Sequence, residues 1–187
     1  MQHVHRDAVK VTYEDYLNFP ADGRRHELID GEHYVTPSAD RRHQELSLRL
    51  ELALAGHLRS HRTGTMYHAP LDVILSNTDV VEPDILYVSN ERSAILGKWV
   101  HGAPDLVVEI LSPSTRKVDE AVKRRLYERV DVKEYWIVDP ELEIVKVYRR
   151  AEDGTSPRVA ELARETGDAL VTPLLSGFSM PLAELFE

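Results

Sequence analysis

The chain has 187 residues, of which 42% are hydrophobic and 29% are charged. This length suits one domain with a substantial core and is short for two. We therefore expect a single domain over residues 1–187, with a core at about 12–150 and an extension at 151–187 packed on it. No apolar run approaches the roughly 18 to 20 residues that cross a bilayer, and the first residues lack the apolar stretch of a secretory signal. These features predict a soluble protein.

The chain contains no cysteine, and its net charge is −9. Without cysteine there can be no disulfide framework and no thiolate metal site, and a reducing cytoplasm is favoured. A metal ion would need oxygen or imidazole ligands, which favours Mg²⁺ or Mn²⁺. The negative charge argues against a protein that coats nucleic acid. Short basic clusters either form a rim around an acidic site or simply face solvent; they are Arg24-Arg25, Arg41-Arg42, Arg59 with Arg62, and Lys123-Arg124-Arg125.

The first part of the chain predicts a short helix, a hairpin and one long helix. Residues 12–17 read as a short helical turn. Residues 26–30 and 33–36 read as two strands joined by a tight glycine turn. Ser38 or Asp40 can cap a core helix, which is predicted by leucines at every fourth position, Leu46, Leu50, Leu54 and Leu58.

The remainder alternates strands with one helix. Strands are predicted at residues 65–67, 71–75, 85–88, 105–111, 135–138 and 144–148. The run at 105–111 is almost continuously apolar, which indicates a central strand covered on both faces. An apolar stripe predicts a helix over residues 118–130. After a polar loop at 151–158, short strands lead to a final turn at 182–186. This order predicts an α/β fold with a mixed central sheet flanked by helices and an N-terminal hairpin.

Two carboxylates on separate predicted strands are the first candidates for chemistry. Asp84 follows Pro83 at the start of one strand, and Glu109 interrupts the apolar run of the next. Burying a carboxylate there costs several kcal/mol unless a cation or strong donors compensate. The pair can hold one divalent cation from the same side. The alternatives are an ordinary turn aspartate at position 84 and a buried ion pair at position 109.

Lys123 lies on the helix that follows, with Asp119 and Tyr127 four residues to either side on the same face. Its ammonium can point along the sheet towards Glu109 or form only a surface ion pair with Asp119. Glu27, in the first strand, is a further carboxylate candidate.

The histidines do not form a recognisable metal motif. His43 reads as a core or capping histidine, and the spacing of His57, His61, His68 and His101 is not that of zinc ligands. The chain also contains no G-x-S-x-G elbow, Walker loop or dinucleotide fingerprint. Serine-hydrolase, nucleotide-switch and oxidoreductase functions therefore lack their signatures.

Several motifs occur together in an order that resembles one known family. They are ELIDGE at 27–32, EPD at 82–84, PDLVVEILSPST at 104–115, Lys123 with Tyr127, EYWIVDP at 134–140, and the ending PLLSGF at 173–178 with LAELF at 182–186. From about Thr12 to Phe186 the chain resembles the Uma-type family of restriction-endonuclease-like proteins, within the PD-(D/E)XK nuclease superfamily.

The resemblance implies a Mg²⁺ site, which Mn²⁺ can also occupy. Its ligands would be Asp84, Glu109 and the main-chain carbonyl of Ile110, with Glu27 holding a second ion or a metal-bound water. The standard motif has a lysine at the position of Leu111.

The resemblance also implies that the missing lysine has moved to the next helix as Lys123. Lys117 is the rival, since it is nearer in sequence, but it lies in a loop and lacks the aligned Asp119 and Tyr127. Tyr127 would orient Lys123 or contact a phosphate.

The activity that the resemblance implies is metal-dependent hydrolysis of DNA phosphodiester bonds by an endonuclease. A homodimer is expected, because cutting both strands of a duplex needs two sites. Two alternatives stay open. One is an inactive nuclease-fold module that binds nucleic acid or a protein partner, which Leu111 and the acidic charge favour; the other is a hydrolase of small phosphodiesters.

Overall fold

The computed structural model describes residues 9–187. Residues 1–8, on which the expectation about a secretory signal rests, lie outside the described residues. The helices are α1 (Tyr13–Tyr16), α2 (Arg41–His61), α3 (Arg124–Arg129) and α4 (Leu182–Leu185), with a 3₁₀ segment at Asn90–Ile95 and a π-helical turn at Val118–Lys123 that continues into α3. Within the described range, no helix has both the length and the apolar character needed to cross a membrane.

Within residues 9–187 the fold also contains thirteen strands. They are β1 (Arg25–Ile29), β2 (Glu32–Thr36), β3 (Gly64–His68), β4 (Val73–Ser76), β5 (Asp79–Val81), β6 (Ile85–Ser89), β7 (Val100–His101), β8 (Leu106–Ile110), β9 (Glu134–Asp139), β10 (Ile144–Arg149), β11 (Arg158–Ala163), β12 (Ala169–Val171) and β13 (Ser179–Pro181). The predicted elements are present with bounds shifted by no more than about two residues.

Capping explains where the first helices begin. Thr12 and Asp15 form a capping box, in which each side chain accepts a hydrogen bond from the other residue's backbone N–H. The carboxylate of Asp40 accepts from the backbone N–H of His43 at 2.8 Å. Of the two predicted caps for α2, Asp40 is therefore the one in place.

The central sheet is mixed, as the sequence predicts. Its strand order is β11-β10-β9-β8-β6-β3. β8 and β9 are parallel, and the other neighbours in this sheet are antiparallel. β8 therefore occupies an interior position with a neighbour on each side.

The N-terminal hairpin belongs to a second sheet, which the sequence did not predict. Its strand order is β2-β1-β5-β4-β7. Residues 76–79 read as a turn, but Asp79 begins β5, which pairs antiparallel with both β1 and β4. Three-residue and two-residue strands such as β5 and β7 are too short to produce a readable alternation.

Alternation along β8 decides which side chains face which layer. Leu106, Val108 and Ile110 pack in a core with the leucines of α2, together with C-terminal residues that include Leu170, Phe178, Leu182, Leu185 and Phe186. Val107 and Leu111 pack in a second core with α3 and the second sheet. Glu109 therefore projects towards α3, and the C-terminal segment covers the opposite face.

Candidate active site

A cleft of about 210 Å³ opens beside the C-terminal end of β8. Its walls are residues 36–40, which connect β2 to α2, and residues 112–115, which follow β8. Charged and titratable side chains form the floor: Arg25, His43, Asp84, Glu109, Asp119 and Lys123. Side chains from both sheets and from both long helical segments therefore meet at one opening.

Asp84 is buried, with 3% of its surface exposed, and every donor around it comes from a different element. Arg25 of β1 donates at 2.8 Å, His43 of α2 at 3.0 Å, and the backbone N–H of Ile110 at 2.8 Å. Burial alone would raise the pKa of Asp84, but the hydrogen bond from His43, the charge of Arg25 and the Ile110 N–H lower it to about 2. Asp84 is therefore ionised at neutral pH, and it is more than a turn aspartate.

Glu109 meets two side chains of the helix that follows it. Its Oε1 accepts a hydrogen bond from Lys123 Nζ at 3.0 Å and from the Tyr127 hydroxyl at 2.9 Å. All three side chains are almost fully buried. Tyr127 is therefore in place to orient Glu109, in addition to the roles that the resemblance implied for it, which are to orient Lys123 or contact a phosphate.

Lys123 lies among three carboxylates. Besides Glu109, its Nζ is 2.9 Å from Glu27 Oε1 and 3.5 Å from Asp119 Oδ1. Burial opposes the charge on Lys123, but these carboxylates hold its pKa well above the ordinary value, so the side chain is cationic. The surface ion pair with Asp119 is excluded as an account of Lys123, because only 2% of Asp119 is exposed. Lys117 is exposed and lies outside the cleft lining.

Carboxyl groups outnumber permanent cations at this site. Four carboxylates, those of Glu27, Asp84, Glu109 and Asp119, contact two permanent cations, Arg25 and Lys123. Burial raises the pKa of Glu109 well above its usual range; Lys123 opposes this rise, while Asp119 and Asp84 add to it. Burying carboxylates in excess of cations is costly, and a divalent cation would remove that cost.

The residues present fit a Mg²⁺-type ion held by two carboxylates. Among residues 9–187, no three His, Asp or Glu side chains surround a single point suited to a metal ion. Mg²⁺ does not require such a cage, since it commonly binds one or two carboxylates and completes its shell with water and substrate phosphate. Asp40, Asp84, Glu109 and Asp119 line the cleft, and of these Asp84 directly precedes β6 and Glu109 lies on the neighbouring strand β8.

The main-chain carbonyl of Ile110 points in the direction that a further oxygen ligand of the cation would require. The Leu111 N–H bonds to the Val138 carbonyl at 2.8 Å, so strand alternation turns the N–H and C=O of Ile110 away from β9. The Ile110 N–H bonds to Asp84 on that side. The Ile110 carbonyl therefore faces the same side as Asp84.

Glu27 contacts the site from behind the cleft. It does not line the cleft, and its Oε1 accepts from the Glu82 backbone N–H at 3.0 Å as well as lying beside Lys123. In this arrangement Glu27 holds Lys123 in place, and a role as a metal ligand would require its carboxylate to exchange partners.

Sequence reasoning did not identify the contacts of Arg25 and His43 with Asp84. Arg25 appeared only as part of a basic cluster, and His43 as a core or capping residue. His43 is indeed buried, with 6% exposed, but its ring bonds to Asp84 and its Nδ1 has no hydrogen-bond partner within residues 9–187. The available signal was the place of His43 in the first turn of α2, beside the buried leucine stripe.

The other basic clusters do not form a continuous rim. Arg24 forms a salt bridge with Asp22, Arg41 with Glu45, and Arg124 with Glu128. These contacts favour the interpretation that the arginines belong to the ordinary solvated surface.

Comparisons with known proteins agree with this architecture. A solved structure described as a "putative nuclease belonging to DUF820", from Anabaena variabilis, superposes with a TM-score of 0.79, covering 94% of this chain and 97% of its own at 19% sequence identity. The predicted mixed α/β fold is thereby confirmed. The type IIG restriction endonuclease BpuSI gives a TM-score of 0.39 at 18% identity, over 77% of this chain and 15% of that one.

Sequence comparison identifies the family. An uncharacterized protein from Synechocystis sp. (strain PCC 6803) is 28% identical over 148 residues, which cover 78% of this chain and 77% of that protein. The family model Uma2, described as "Putative restriction endonuclease", matches residues 13–183. The chain therefore belongs to the Uma2 family.

Proposed function

We propose that the protein is a Mg²⁺-dependent endonuclease that hydrolyses phosphodiester bonds in DNA. The observation that carries the proposal is the meeting of Asp84, Glu109 and Lys123 at one cleft, although they lie on three separate elements. Family membership supports nuclease activity, and the excess of buried carboxylates supports a divalent cation. Mn²⁺ is expected to substitute for Mg²⁺.

Each side chain has a distinct task in this proposal. Asp84 and Glu109 would hold the cation, with the Ile110 carbonyl as a further oxygen. When bound, such a cation polarises the phosphate and lowers the pKa of water. Lys123 supplies a fixed positive charge beside Glu109, where it offsets negative charge that develops on the phosphate and positions the attacking water. Tyr127 keeps Glu109 in a single orientation.

The walls of the cleft suit a phosphate backbone. They carry the hydroxyl groups of Thr36, Ser38, Ser112 and Ser114, which can donate hydrogen bonds to phosphate oxygens. Such contacts position a strand without reading its bases. The guanidinium of Arg25, 21% exposed, adds a positive charge at the floor.

A cleavage assay with matched aspartate variants tests the proposal. Linear, single-stranded and branched DNA would be incubated with Mg²⁺ or Mn²⁺ and the wild type, Asp84→Asn or Asp79→Asn. Asp79 is the control, because it is also a buried aspartate bonded to an arginine, at 2.8 Å, but lies outside the cleft. We expect Asp84→Asn to abolish cleavage and Asp79→Asn to retain it. Equal activity of the two variants would reject the assignment of Asp84.

A second function has support from one specific observation. The oxygens of Asp84 already accept three hydrogen bonds, and Lys123 and Tyr127 occupy Glu109 Oε1. Carboxylates whose oxygens already accept hydrogen bonds from protein groups need no metal ion. An inactive module that binds nucleic acid or a protein partner would also retain such a site. DNA binding without metal-dependent cleavage of any substrate would favour this module.

Two further properties belong to the nuclease proposal. Cutting both strands of a duplex needs two sites, so we propose that the protein acts as a homodimer. A cytoplasmic location suits a chain without cysteine and a DNA substrate.

A further inference from the structure

The outer face of α2 carries exposed leucines that the fold of the single chain does not use. Leu48 and Leu52 are 55% and 65% exposed, although they lie one turn apart on a 21-residue helix. The buried stripe of the same helix is complete without them, since it consists of Leu46, Leu50, Leu54 and Leu58. α2 thus has a second apolar stripe, which is directed away from the core.

Small residues continue this outer stripe. Ala55 and Gly56 are both exposed, and a Cβ added at Gly56 would meet no atom within 4 Å. A glycine inside a helix costs about 1 kcal/mol relative to alanine, and nothing in the single chain requires it here. Close approach of a second backbone would explain a residue without a side chain.

The stripe has a residue of opposite charge at each end, so it can match the same stripe of a second copy in the antiparallel direction. Glu45 and Arg59 lie seven residues, or two helical turns, on either side of Leu52. Arg59 is exposed and forms no salt bridge with any other residue between 9 and 187, whereas Glu45 is paired with Arg41 and Arg42 of its own helix and would exchange these partners in the dimer. If two copies of α2 cross antiparallel at Leu52, each Glu45 meets Arg59 of the other copy, and Leu48 lies level with Gly56 of the other copy, beside Ala55.

We infer that the outer face of α2, defined by Glu45, Leu48, Leu52, Ala55 and Arg59, binds the same face of a second copy of this chain. The two helices would pack antiparallel about a two-fold axis at Leu52, with the leucines and small residues in the centre and the charge pairs at both ends. A one-helix interface is at the small end of the range for specific contacts, so the dimer dissociates on dilution. This inference does not depend on nuclease activity.

Light scattering across a concentration series, together with sedimentation equilibrium, tests the inference. Wild type should approach twice the chain mass of 21.3 kDa at high concentration. Leu52→Glu should remain monomeric, because two buried like charges would meet at the axis. Leu142→Glu is the matched control, since Leu142 is 63% exposed but lies outside α2, and it should dimerise as wild type does. A monomeric wild type, or a Leu52→Glu protein that dimerises normally, would overturn the inference.

Charge reversal covers the case in which Leu52→Glu misfolds. Glu45→Arg and Arg59→Glu should each weaken the dimer, and the double variant should restore it. An unrestored double variant would contradict the pairing.

Cross-linking tests the antiparallel direction, because the natural chain has no cysteine. Leu52→Cys should form an intermolecular disulfide on oxidation. Glu45→Cys should not, since the two positions would lie about 21 Å apart along the helices. Efficient cross-linking of both variants would indicate parallel helices and reject this geometry.

Discussion

Lys123 is the only permanent cation in contact with Glu27, Glu109 and Asp119 in the part of the chain that the structure describes. We predict that Lys123→Met lowers the single-turnover cleavage rate by roughly 10² to 10³, the usual effect of removing one such electrostatic group. The metal-free protein should also melt at a lower temperature, because three carboxylates lose their counter-charge. The methionine retains the aliphatic volume of the lysine, so packing changes little.

Lys117→Met is the control for this substitution. Lys117 is exposed, and its replacement should leave cleavage within a few-fold of wild type. If Lys117→Met abolished cleavage and Lys123→Met spared it, the assignment of the moved lysine would be wrong while the nuclease proposal survived.

The hydrogen bond from His43 to Asp84 gives a second prediction at the residue scale. Glutamine can place its amide nitrogen near the position of Nε2, whereas asparagine is too short to reach Asp84. We expect His43→Asn to lower the free energy of unfolding by about 1.5 to 3 kcal/mol, the range for a hydrogen bond to a charged group, and His43→Gln to lower it less. Urea denaturation would measure both. Equal losses would show that the bond to Asp84 contributes little.

The residues that sequence could identify are those whose local pattern is anomalous. Glu109 interrupts an apolar strand, and Lys123 and Tyr127 share one helical face, so each is visible within a few positions. Arg25 and His43 lie about 60 and 40 residues from Asp84, and their contacts arise only when two sheets and α2 pack together. No short-range pattern encodes such a meeting.

At the scale of elements, the β1–β2 hairpin carries Arg25 and Glu27 to the site, and its turn depends on Gly31. Asp30 and Gly31 both have positive φ, 52° and 76°, as a two-residue hairpin turn requires. We predict that Gly31→Ala lowers the free energy of unfolding by at least about 1 to 2 kcal/mol, because alanine is strained in this conformation. The added Cβ would also lie only 2.5 Å from Lys10 Cβ.

Gly56→Ala provides the comparison, measured by urea denaturation of dilute protein. Gly56 is helical with open space around it, so alanine should stabilise the single chain by up to about 1 kcal/mol. A Gly31→Ala protein as stable as wild type would contradict the turn assignment.

Long or strongly periodic elements were predictable, and short ones were not. The leucine spacing of α2 and the apolar run of β8 extend far enough to define a period. β5 and β7 contain three and two residues, and their pairing partners lie elsewhere in the chain. The second sheet therefore could not be predicted, although the hairpin at its edge could.

For the whole molecule, the excess of carboxyl groups over permanent cations in the cleft links metal binding to stability. We predict that Mg²⁺ or Mn²⁺ raises the melting temperature, because an ion bound only by the folded chain stabilises it by mass action. At an ion concentration of 100 times the dissociation constant, the free energy of unfolding rises by about 2.7 kcal/mol. Ca²⁺ should raise it as well without supporting cleavage.

Glu109→Gln is the test variant for this metal effect. Glutamine has the shape of a protonated glutamate, so the metal-free protein should remain folded, but one ligand charge is lost. The metal-induced rise in melting temperature should therefore disappear in a thermal shift assay. A rise as large as that of wild type would exclude Glu109 from the ligand set.

We propose that Asp84 and Glu109 hold a divalent cation beside Lys123. Anomalous diffraction from a crystal soaked in Mn²⁺ tests it most directly, because the position of the ion is located without reference to activity. We predict one strong peak in the cleft, within coordination distance of carboxylate oxygens of both Asp84 and Glu109 and on the side of the strand that the Ile110 carbonyl faces. An empty cleft in a saturated crystal, or a peak only at other carboxylates, would contradict the account.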